Sequence, residues 1–118
     1  INPDKIFALP KIINGALQFV QCEAVISLEQ SIKFSLLQEP LGNKVILPNL
    51  LIIPGIAFDI KGYRLGLGKG HYDRYLSKNN NIKTIGVCFG DNLLERLPNE
   101  DHDCKMDYII TEHSIIKI

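Results

Sequence analysis

The stretch "NLLIIPG", residues 49–55, decides the fold that this sequence predicts. Its core, Leu50 to Ile53, is a continuous aliphatic run that Pro54 and Gly55 stop. A short apolar run of this kind is typical of a strand covered on both faces, as in the parallel sheets of α/β proteins. We therefore predict that residues 50–53 form a central parallel strand.

The sequence that follows repeats this pattern twice, in "TIGVCFG" (84–90) and "DYIITEHSIIKI" (107–118). Helices are predicted between these runs, in "HYDRYLSK" (71–78) and, more briefly, in "NLLERL" (92–97). Strand, loop, helix, strand, short helix and strand is the order of a right-handed α/β unit. Ligands of such sheets bind outside the carboxyl ends of the strands, so a site is expected after residue 53.

The amino-terminal part of the chain predicts a strand pair and one helix. "IFAL" (6–9) and "ALQFVQ" (16–21) are expected to be strands, because the Asn14-Gly15 pair between them favours a tight turn. Apolar residues three or four positions apart favour a helix over 23–37. Residues 1–118 are expected to form a single α/β domain.

Composition limits the classes of function. The 118 residues are 46% hydrophobic and 22% charged, which fits a globular chain and excludes disorder. Thirteen basic residues balance thirteen acidic ones, so no net field favours nucleic acid or an anionic membrane. The sequence has no apolar run of roughly 18 residues and no signal-peptide pattern, and its three cysteines contain no C-x-x-C pair. We expect a cytoplasmic protein with reduced thiols and with neither nucleic-acid nor membrane partners.

The segment "GYRLGLGKGHYDRYL", residues 62–76, is the candidate binding loop. Its alternate glycines let the backbone approach an anion closely, while Lys69 would bring a charge and Arg64 a fork of donors to a phosphate. Neither the P-loop pattern nor the dinucleotide fingerprint fits, because Tyr63 occupies the first P-loop glycine position and Gly70 comes one residue early for the dinucleotide pattern. Spacing alone leaves two readings open, a flexible connection and a phosphate loop.

The predicted helix favours the second reading. Tyr72, Tyr75 and Leu76 share a face suited to packing, and Asp73 falls in the first turn. Beside a bound polyphosphate, that carboxylate is a candidate Mg²⁺ ligand. The polar segment "NEDHDCKMD" (99–107) is mostly a solvated loop, from which one aspartate is able to join Asp73.

These residues resemble a known family. "PGIAFDIKGYRLGLGKGHYDRYL" (54–76) is similar to the signature of 5-formyltetrahydrofolate cyclo-ligase, also called methenyltetrahydrofolate synthetase. Further pieces stand in the family's order: "FALPKI" (7–12), "LLQEP" (36–40), "TIGVCF" (84–89) and "LPNEDHDCKMDYIITE" (97–112). The resemblance covers nearly the whole chain, and its long motif is highly specific.

The resemblance implies a fold and an activity. The fold is a Rossmann-like three-layer α/β/α domain with a mostly parallel sheet, of the NagB/RpiA/CoA transferase-like type. The activity is an ATP-dependent ligase (EC 6.3.3.2) that closes 5-formyltetrahydrofolate to 5,10-methenyltetrahydrofolate and yields ADP and phosphate with Mg²⁺. ATP phosphorylates the formyl oxygen, a folate nitrogen closes the ring and phosphate leaves. The chain would act as a monomer whose partners are ATP and the folate.

The resemblance also implies site residues by motif position. Asp73 and Asp103 would be the metal carboxylates, Lys69 and Arg64 the charged catalytic contacts, and Leu67 to His71 would also contact the folate. The ATP phosphates would be lined by Arg64, Leu65, Gly66, Leu67, Gly68, Lys69, Gly70, His71 and Tyr72.

Two departures from the family pattern qualify this expectation. His71 stands where tyrosine is common. The family's amino-terminal segment, with a basic ATP-contacting helix start and a folate-contacting glutamate, is missing, and the chain starts at Ile1 with Met106 as its one methionine. We therefore expect a truncated or processed piece with part of the active site and some uncovered apolar surface.

Two other functions stay open at this point. One is a non-catalytic relative that binds nucleotide or folate and acts through a partner. The other is a different kinase or a phosphosugar-binding α/β domain, which would bind ATP but not folate.

Overall fold

The computed structural model describes residues 4–22 and 44–118, so the helix predicted over 23–37 lies outside the described residues. The chain divides into two compact units, residues 1–48 and 49–118. None of the helices in the described ranges is long and apolar enough to cross a membrane.

The first unit contains a three-stranded antiparallel sheet. Its strands are β1 (Phe7–Ile13), β2 (Ala16–Cys22) and β3 (Val45–Ile46), with β2 in the centre. Asn14 and Gly15 both have positive φ, 51° and 79°, as a two-residue hairpin turn requires. This turn sets the β1–β2 register, in which Ile13 faces Ala16 and Phe7 faces Cys22. The predicted strand pair is confirmed.

The second unit combines two small sheets with a helix, so the described fold is mixed α/β. Its elements are β4 (Leu50–Pro54), β5 (Ala57–Asp59), β6 (Arg64–Leu65), α1 (His71–Lys78), β7 (Lys83–Val87), a 3₁₀ helix (Gly90–Asn92), β8 (Leu93–Leu94), β9 (Tyr108–Ile110) and β10 (Ile115–Lys117). The larger sheet has the order β10-β9-β7-β4; β4, β7 and β9 are parallel, and β10 is antiparallel to β9. The predicted helix over 71–78 is confirmed at both ends.

Strand β4 does not occupy the predicted place. It forms an edge of the four-stranded sheet, and its residues alternate between exposed and buried along the strand. Leu51 and Ile53 are buried, whereas Ile52 is 67% exposed. The prediction of a central strand covered on both faces is therefore wrong for the described chain. An unbroken aliphatic run indicates an apolar strand, but the rest of the fold determines how many strands and helices pack against that strand.

The prediction of a short helix in "NLLERL" is also wrong. The chain makes one 3₁₀ turn and then extends as β8, which pairs in parallel with β5 so that Phe58 faces Leu93 and Asp59 faces Leu94. Six residues followed by Pro98 are too few for a stable helix, and pairing with β5 satisfies the backbone groups instead. The smaller sheet is completed by β6, antiparallel to β5.

Phe58 is at the centre of the second unit's core. It is fully buried, and glycines let the backbone approach its ring: a Cβ on Gly55 would lie 2.9 Å from Phe58 Cε2, and one on Gly86 would collide with the same ring. Helix α1 contributes the buried Tyr75 and Leu76. The face predicted for packing is confirmed for these two residues, whereas Tyr72, the third, is half-buried and lies beneath Arg64 instead of in the core.

Asp59, at the end of β5, is the fully buried charged residue of this unit. Its Oδ1 accepts hydrogen bonds from the backbone N–H groups of Lys61 and Tyr63, both at 3.0 Å, and its Oδ2 accepts one from Leu97 at 2.9 Å. Burial of a carboxylate is tolerated because these donors satisfy it. Asp59 thereby fixes the turn that leads into β6 and the candidate loop.

Candidate functional site

The candidate site is the loop of residues 66–70 together with the first turn of α1. Gly68 and Gly70 have φ of 87° and 66°, in the left-handed region that favours glycine. Gly70 is the N-cap residue of α1 and gives no side-chain cap, so the first N–H groups of the helix lack an intrahelical acceptor. This end of α1 therefore offers backbone donors and the positive end of the helix dipole.

Arg64 is held beside this loop by three features. Its Nε donates a 2.6 Å hydrogen bond to the carbonyl oxygen of Pro54, and its guanidinium lies 4.8 Å from the centroid of the Tyr72 ring. Gly66 leaves room for the same group, because a Cβ there would lie 2.7 Å from Arg64 Nη1. The remaining donors of the fork are therefore presented from a fixed position.

Partial burial changes the proton affinity of both stacked groups. Burial lowers the pKa of Arg64, while Tyr72 and the Asp73 carboxylate act in the opposite direction. Burial raises the pKa of the Tyr72 hydroxyl, against the effect of the Arg64 charge. At neutral pH the pair is a guanidinium cation over a neutral phenol ring, which is the arrangement that cation–π attraction requires.

The middle of the loop is open to solvent. Leu67 is 87% exposed, Lys69 is exposed, and a Cβ on Gly68 would meet nothing within 4 Å. His71, at the start of α1, is half-buried. The predicted loop residues are thus contiguous along one accessible rim, with Arg64 and Tyr72 at its inner side.

The loop of residues 99–107 meets α1 at Asp73. The backbone N–H of Cys104 donates to Asp73 Oδ1 at 3.3 Å, and its thiol approaches the Asp73 carbonyl oxygen at 3.9 Å. Burial raises the pKa of the Cys104 thiol, and the Asp73 and Asp103 carboxylates raise it further. The carboxylates that the sequence predicts as metal ligands therefore lie around one residue, although 30 positions separate them along the chain.

The local contacts of Asp103 bear on whether it is able to bind a cation. Its Oδ2 accepts a 2.8 Å hydrogen bond from the N–H of Glu100, and its Oδ1 lies 3.5 Å from His102 Nε2. In the ranges 4–22 and 44–118, no three His, Cys, Asp or Glu side chains are grouped to hold a metal ion. Mg²⁺ in nucleotide sites is commonly held by one or two carboxylates together with phosphate oxygens and water. The described residues therefore form no dedicated protein cage for a metal ion at Asp73 and Asp103.

A cleft of about 210 Å³ opens beside the first turn of α1. It is lined by Gly70, Asp73, Arg74, Ser77 and His102. The sequence predicts no ligand role for Arg74 or Ser77, and it places His102 in a solvated loop. The i, i+1 and i+4 spacing of Asp73, Arg74 and Ser77 on a helix was the available signal, but it does not indicate which loop covers that face.

Comparisons with known proteins point to one family. Residues 4–112 match the model of the 5-formyltetrahydrofolate cyclo-ligase family. A probable 5-formyltetrahydrofolate cyclo-ligase of Schizosaccharomyces pombe is 36% identical over 80 residues, which cover 58% of this chain and 39% of the yeast protein. The 5-formyltetrahydrofolate cyclo-ligase of Mus musculus is 37% identical over 71 residues, which cover 56% of this chain and 35% of the mouse protein. The chain thus spans well under half the length of these two relatives.

A solved structure extends the similarity to nearly the whole chain. The 5,10-methenyltetrahydrofolate synthetase of Aquifex aeolicus superposes with a TM-score of 0.73 at 30% identity, over 97% of this chain and 59% of that protein. The family match spans both compact units and includes the glycine loop, the first turn of α1 and the loop of residues 99–107. This chain belongs to the 5-formyltetrahydrofolate cyclo-ligase family.

Proposed function

We propose that the protein is an ATP-dependent 5-formyltetrahydrofolate cyclo-ligase (EC 6.3.3.2). It would convert 5-formyltetrahydrofolate to 5,10-methenyltetrahydrofolate and release ADP and phosphate. The observation that carries this proposal is the convergence of Arg64, Tyr72 and Asp73 on the uncapped first turn of α1, within a chain of this family. A guanidinium, free backbone donors and a carboxylate together are suited to a polyphosphate with its metal ion.

In this proposal the nucleotide occupies the rim formed by residues 64–72. Arg64 and Lys69 would contact the ATP phosphates, and the glycines would bring backbone N–H groups against them. Leu67 to His71 would also contact the folate. The exposure of Leu67 supports this assignment, because covering an exposed apolar side chain with a ligand lowers the free energy of the complex.

Asp73 and Asp103 would hold Mg²⁺, whose role when bound is to neutralise charge on the phosphate oxygens. The hydrogen bond from the Cys104 N–H to Asp73 Oδ1 supports this pairing, because it brings the loop that carries Asp103 against Asp73. The chain's own residues would then orient the terminal phosphate toward the formyl oxygen of the folate.

The chemistry requires positioning more than a protein nucleophile. The formyl oxygen would attack the γ-phosphorus, the bond to the ADP oxygen would break, and the adjacent folate nitrogen would close the ring as the carbon–oxygen bond to phosphate breaks. Arg64, fixed by Pro54 and Tyr72, would stabilise the charge that develops during the transfer. Lys69 would reach the same oxygens from the flexible rim.

The same proposal includes the type of domain, the cellular location and the oligomeric state. The second unit, with three parallel strands and α1, would be part of a Rossmann-like three-layer α/β/α domain that spans residues 1–118. The protein would be cytoplasmic and monomeric and would bind neither nucleic acid nor membrane. The balanced charge of the sequence supports the absence of these partners.

The deciding experiment is turnover. The purified protein with ATP, Mg²⁺ and 5-formyltetrahydrofolate should generate the absorbance of methenyltetrahydrofolate, and Lys69→Ala should reduce the rate about 10²-fold. Lys78→Ala is the matched control, because Lys78 is exposed in the last turn of α1 and its loss should leave the rate unchanged. ATP or folate binding without turnover would select the non-catalytic alternative, and ATP binding without folate binding would select a different kinase.

A further inference from the structure

The cleft beside α1 contains a guanidinium to which the family resemblance gave no role. Arg74 is exposed, yet its side chain turns back toward the amino end of its own helix: Nη1 lies 2.9 Å from the position that a Cβ on Gly70 would occupy. Helical side chains lean in this direction, so the fourth residue of α1 reaches the level of the N-cap. The guanidinium is therefore at the same end of α1 as the free backbone donors.

This guanidinium is not used by the fold. Within the described ranges its nitrogens make no hydrogen bond and no ion pair, although the Asp73 carboxylate is the preceding residue. A cation at the positive end of a helix dipole is also unfavourable. A bound anion would attract both the guanidinium and the positive end of the helix and would offset that repulsion, so the arrangement suits a ligand more than the unliganded chain.

The two arginines bracket the glycine loop. Arg64 lies against Gly66, at the start of the loop, and Arg74 lies against Gly70, at its end. Each glycine leaves room for its arginine, because an added Cβ would clash with a guanidinium nitrogen. A polyphosphate on the rim of residues 66–70 would thus meet a planar fork of donors at each end.

We propose that Arg74 is a second phosphate-binding arginine of the nucleotide site, which contacts the terminal phosphates of a nucleoside triphosphate from the side of the cleft. This inference rests on the proposed function. The cleft's other donors are already engaged, because Ser77 Oγ donates to the carbonyl oxygen of Arg74 and the His102 nitrogens lie within 3.5 Å of Glu100 and Asp103. The Arg74 guanidinium is therefore the group in this cleft that is left to meet an anion. The carboxylate tail of the folate is the other anion to consider, and separate binding measurements with ATP and with 5-formyltetrahydrofolate distinguish the two.

Calorimetry on the purified protein tests the assignment. Arg74→Ala should weaken ATP binding about 10- to 100-fold, as expected for the loss of a charge-assisted hydrogen bond, and should leave binding of AMP and 5-formyltetrahydrofolate unchanged. Arg74→Lys should recover part of the loss, because the charge is kept without the fork. Arg96→Ala, which removes another exposed arginine of the same unit, should match the wild type. In turnover, Arg74→Ala should raise the KM for ATP more than the KM for the folate.

Three results would overturn the inference. The first is unchanged ATP affinity in Arg74→Ala. The second is an equal loss of affinity for ATP and AMP, which would indicate a distorted loop. The third is a loss of affinity confined to 5-formyltetrahydrofolate, which would assign the cleft to the folate tail. A wild-type protein that does not bind ATP would overturn the proposed function as well. The first three outcomes would leave it intact.

Discussion

Arg64 and Tyr72 form a stacked pair across the glycine loop, with the guanidinium carbon 4.8 Å from the ring centroid. The pair joins β6 to the first turn of α1, so it fixes the two ends of the loop relative to each other. The hydrogen bond from Arg64 Nε to Pro54 adds a third point, at the carboxyl end of β4. The loop therefore has a rigid inner side, and its outer side carries the exposed Leu67 and Lys69.

Arg64→Lys should act as a non-conservative change. Lysine keeps the charge but has neither the Nε donor to Pro54 nor a planar group to lie on Tyr72. We expect kcat/KM for ATP to fall about 10²-fold, because one positioned donor to the transferred phosphate is lost. Steady-state kinetics with varied ATP measures this.

The matched variant for that experiment is Tyr72→Phe. It keeps the ring beneath Arg64 and removes only the hydroxyl, so it should retain most of the activity if stacking is the role of Tyr72. Equal losses in Tyr72→Phe and Arg64→Lys would contradict this account, and would indicate that the phenol hydroxyl contacts the ligand.

Gly66→Ala should displace Arg64 without destabilising the protein. The added Cβ would lie 2.7 Å from Arg64 Nη1, and the flexible side chain is able to move away at small cost, since Gly66 does not have positive φ. We expect ATP binding to weaken about 10-fold, as for loss of one charge-assisted contact, with little change in the melting temperature.

Gly68→Ala supplies the opposite control. Nothing lies within 4 Å of a Cβ added at Gly68, so alanine there should leave Arg64 in place. Because φ of Gly68 is 87°, alanine is strained by about 1 kcal/mol and should change the loop conformation instead. If Gly66→Ala bound ATP as well as the wild type does, the placement of Arg64 by Gly66 would be wrong.

The sequence predicts local features of this site better than its surroundings. Helix 71–78 and the Asn14-Gly15 turn were found because their signals lie within a few residues. The edge position of β4 and the strand in place of a helix at "NLLERL" depend on pairing with distant residues, which no local pattern contains. The approach of Cys104 to Asp73 required the tertiary fold for the same reason.

Asp59→Asn should destabilise the second unit. The asparagine amide keeps one acceptor oxygen, but its NH₂ group replaces the other. That NH₂ group would face backbone N–H donors that now hydrogen-bond to the carboxylate, either that of Leu97 or those of Lys61 and Tyr63. We expect the free energy of unfolding to fall by about 1–3 kcal/mol, the usual cost of an unsatisfied buried polar group. Urea unfolding measures this, with the exposed Asp91→Asn as control; similar losses in both variants would contradict it.

Glu112 should make stability depend on pH in the acid range. Its pKa is lowered by a hydrogen bond from its own N–H, then by one from Gly90 N–H at 2.7 Å, and by the nearby His113. Because the folded state has the lower pKa, the ionised carboxylate stabilises the fold above the ordinary carboxyl pKa of about 4.3, and this contribution is lost as the pH falls through the lowered value.

The melting temperature of Glu112→Gln should therefore lie below that of the wild type at pH 7, and the two should converge as the pH falls below about 4. The difference should be small, because Glu112 is at the surface and solvent screens its charge. Glu95→Gln, at another exposed position of the same unit, should follow the wild type at both pH values. A gap between Glu112→Gln and the wild type that widened in acid would reverse the sign of the argument, and would mean that protonated Glu112 makes the stronger contact with Gly90.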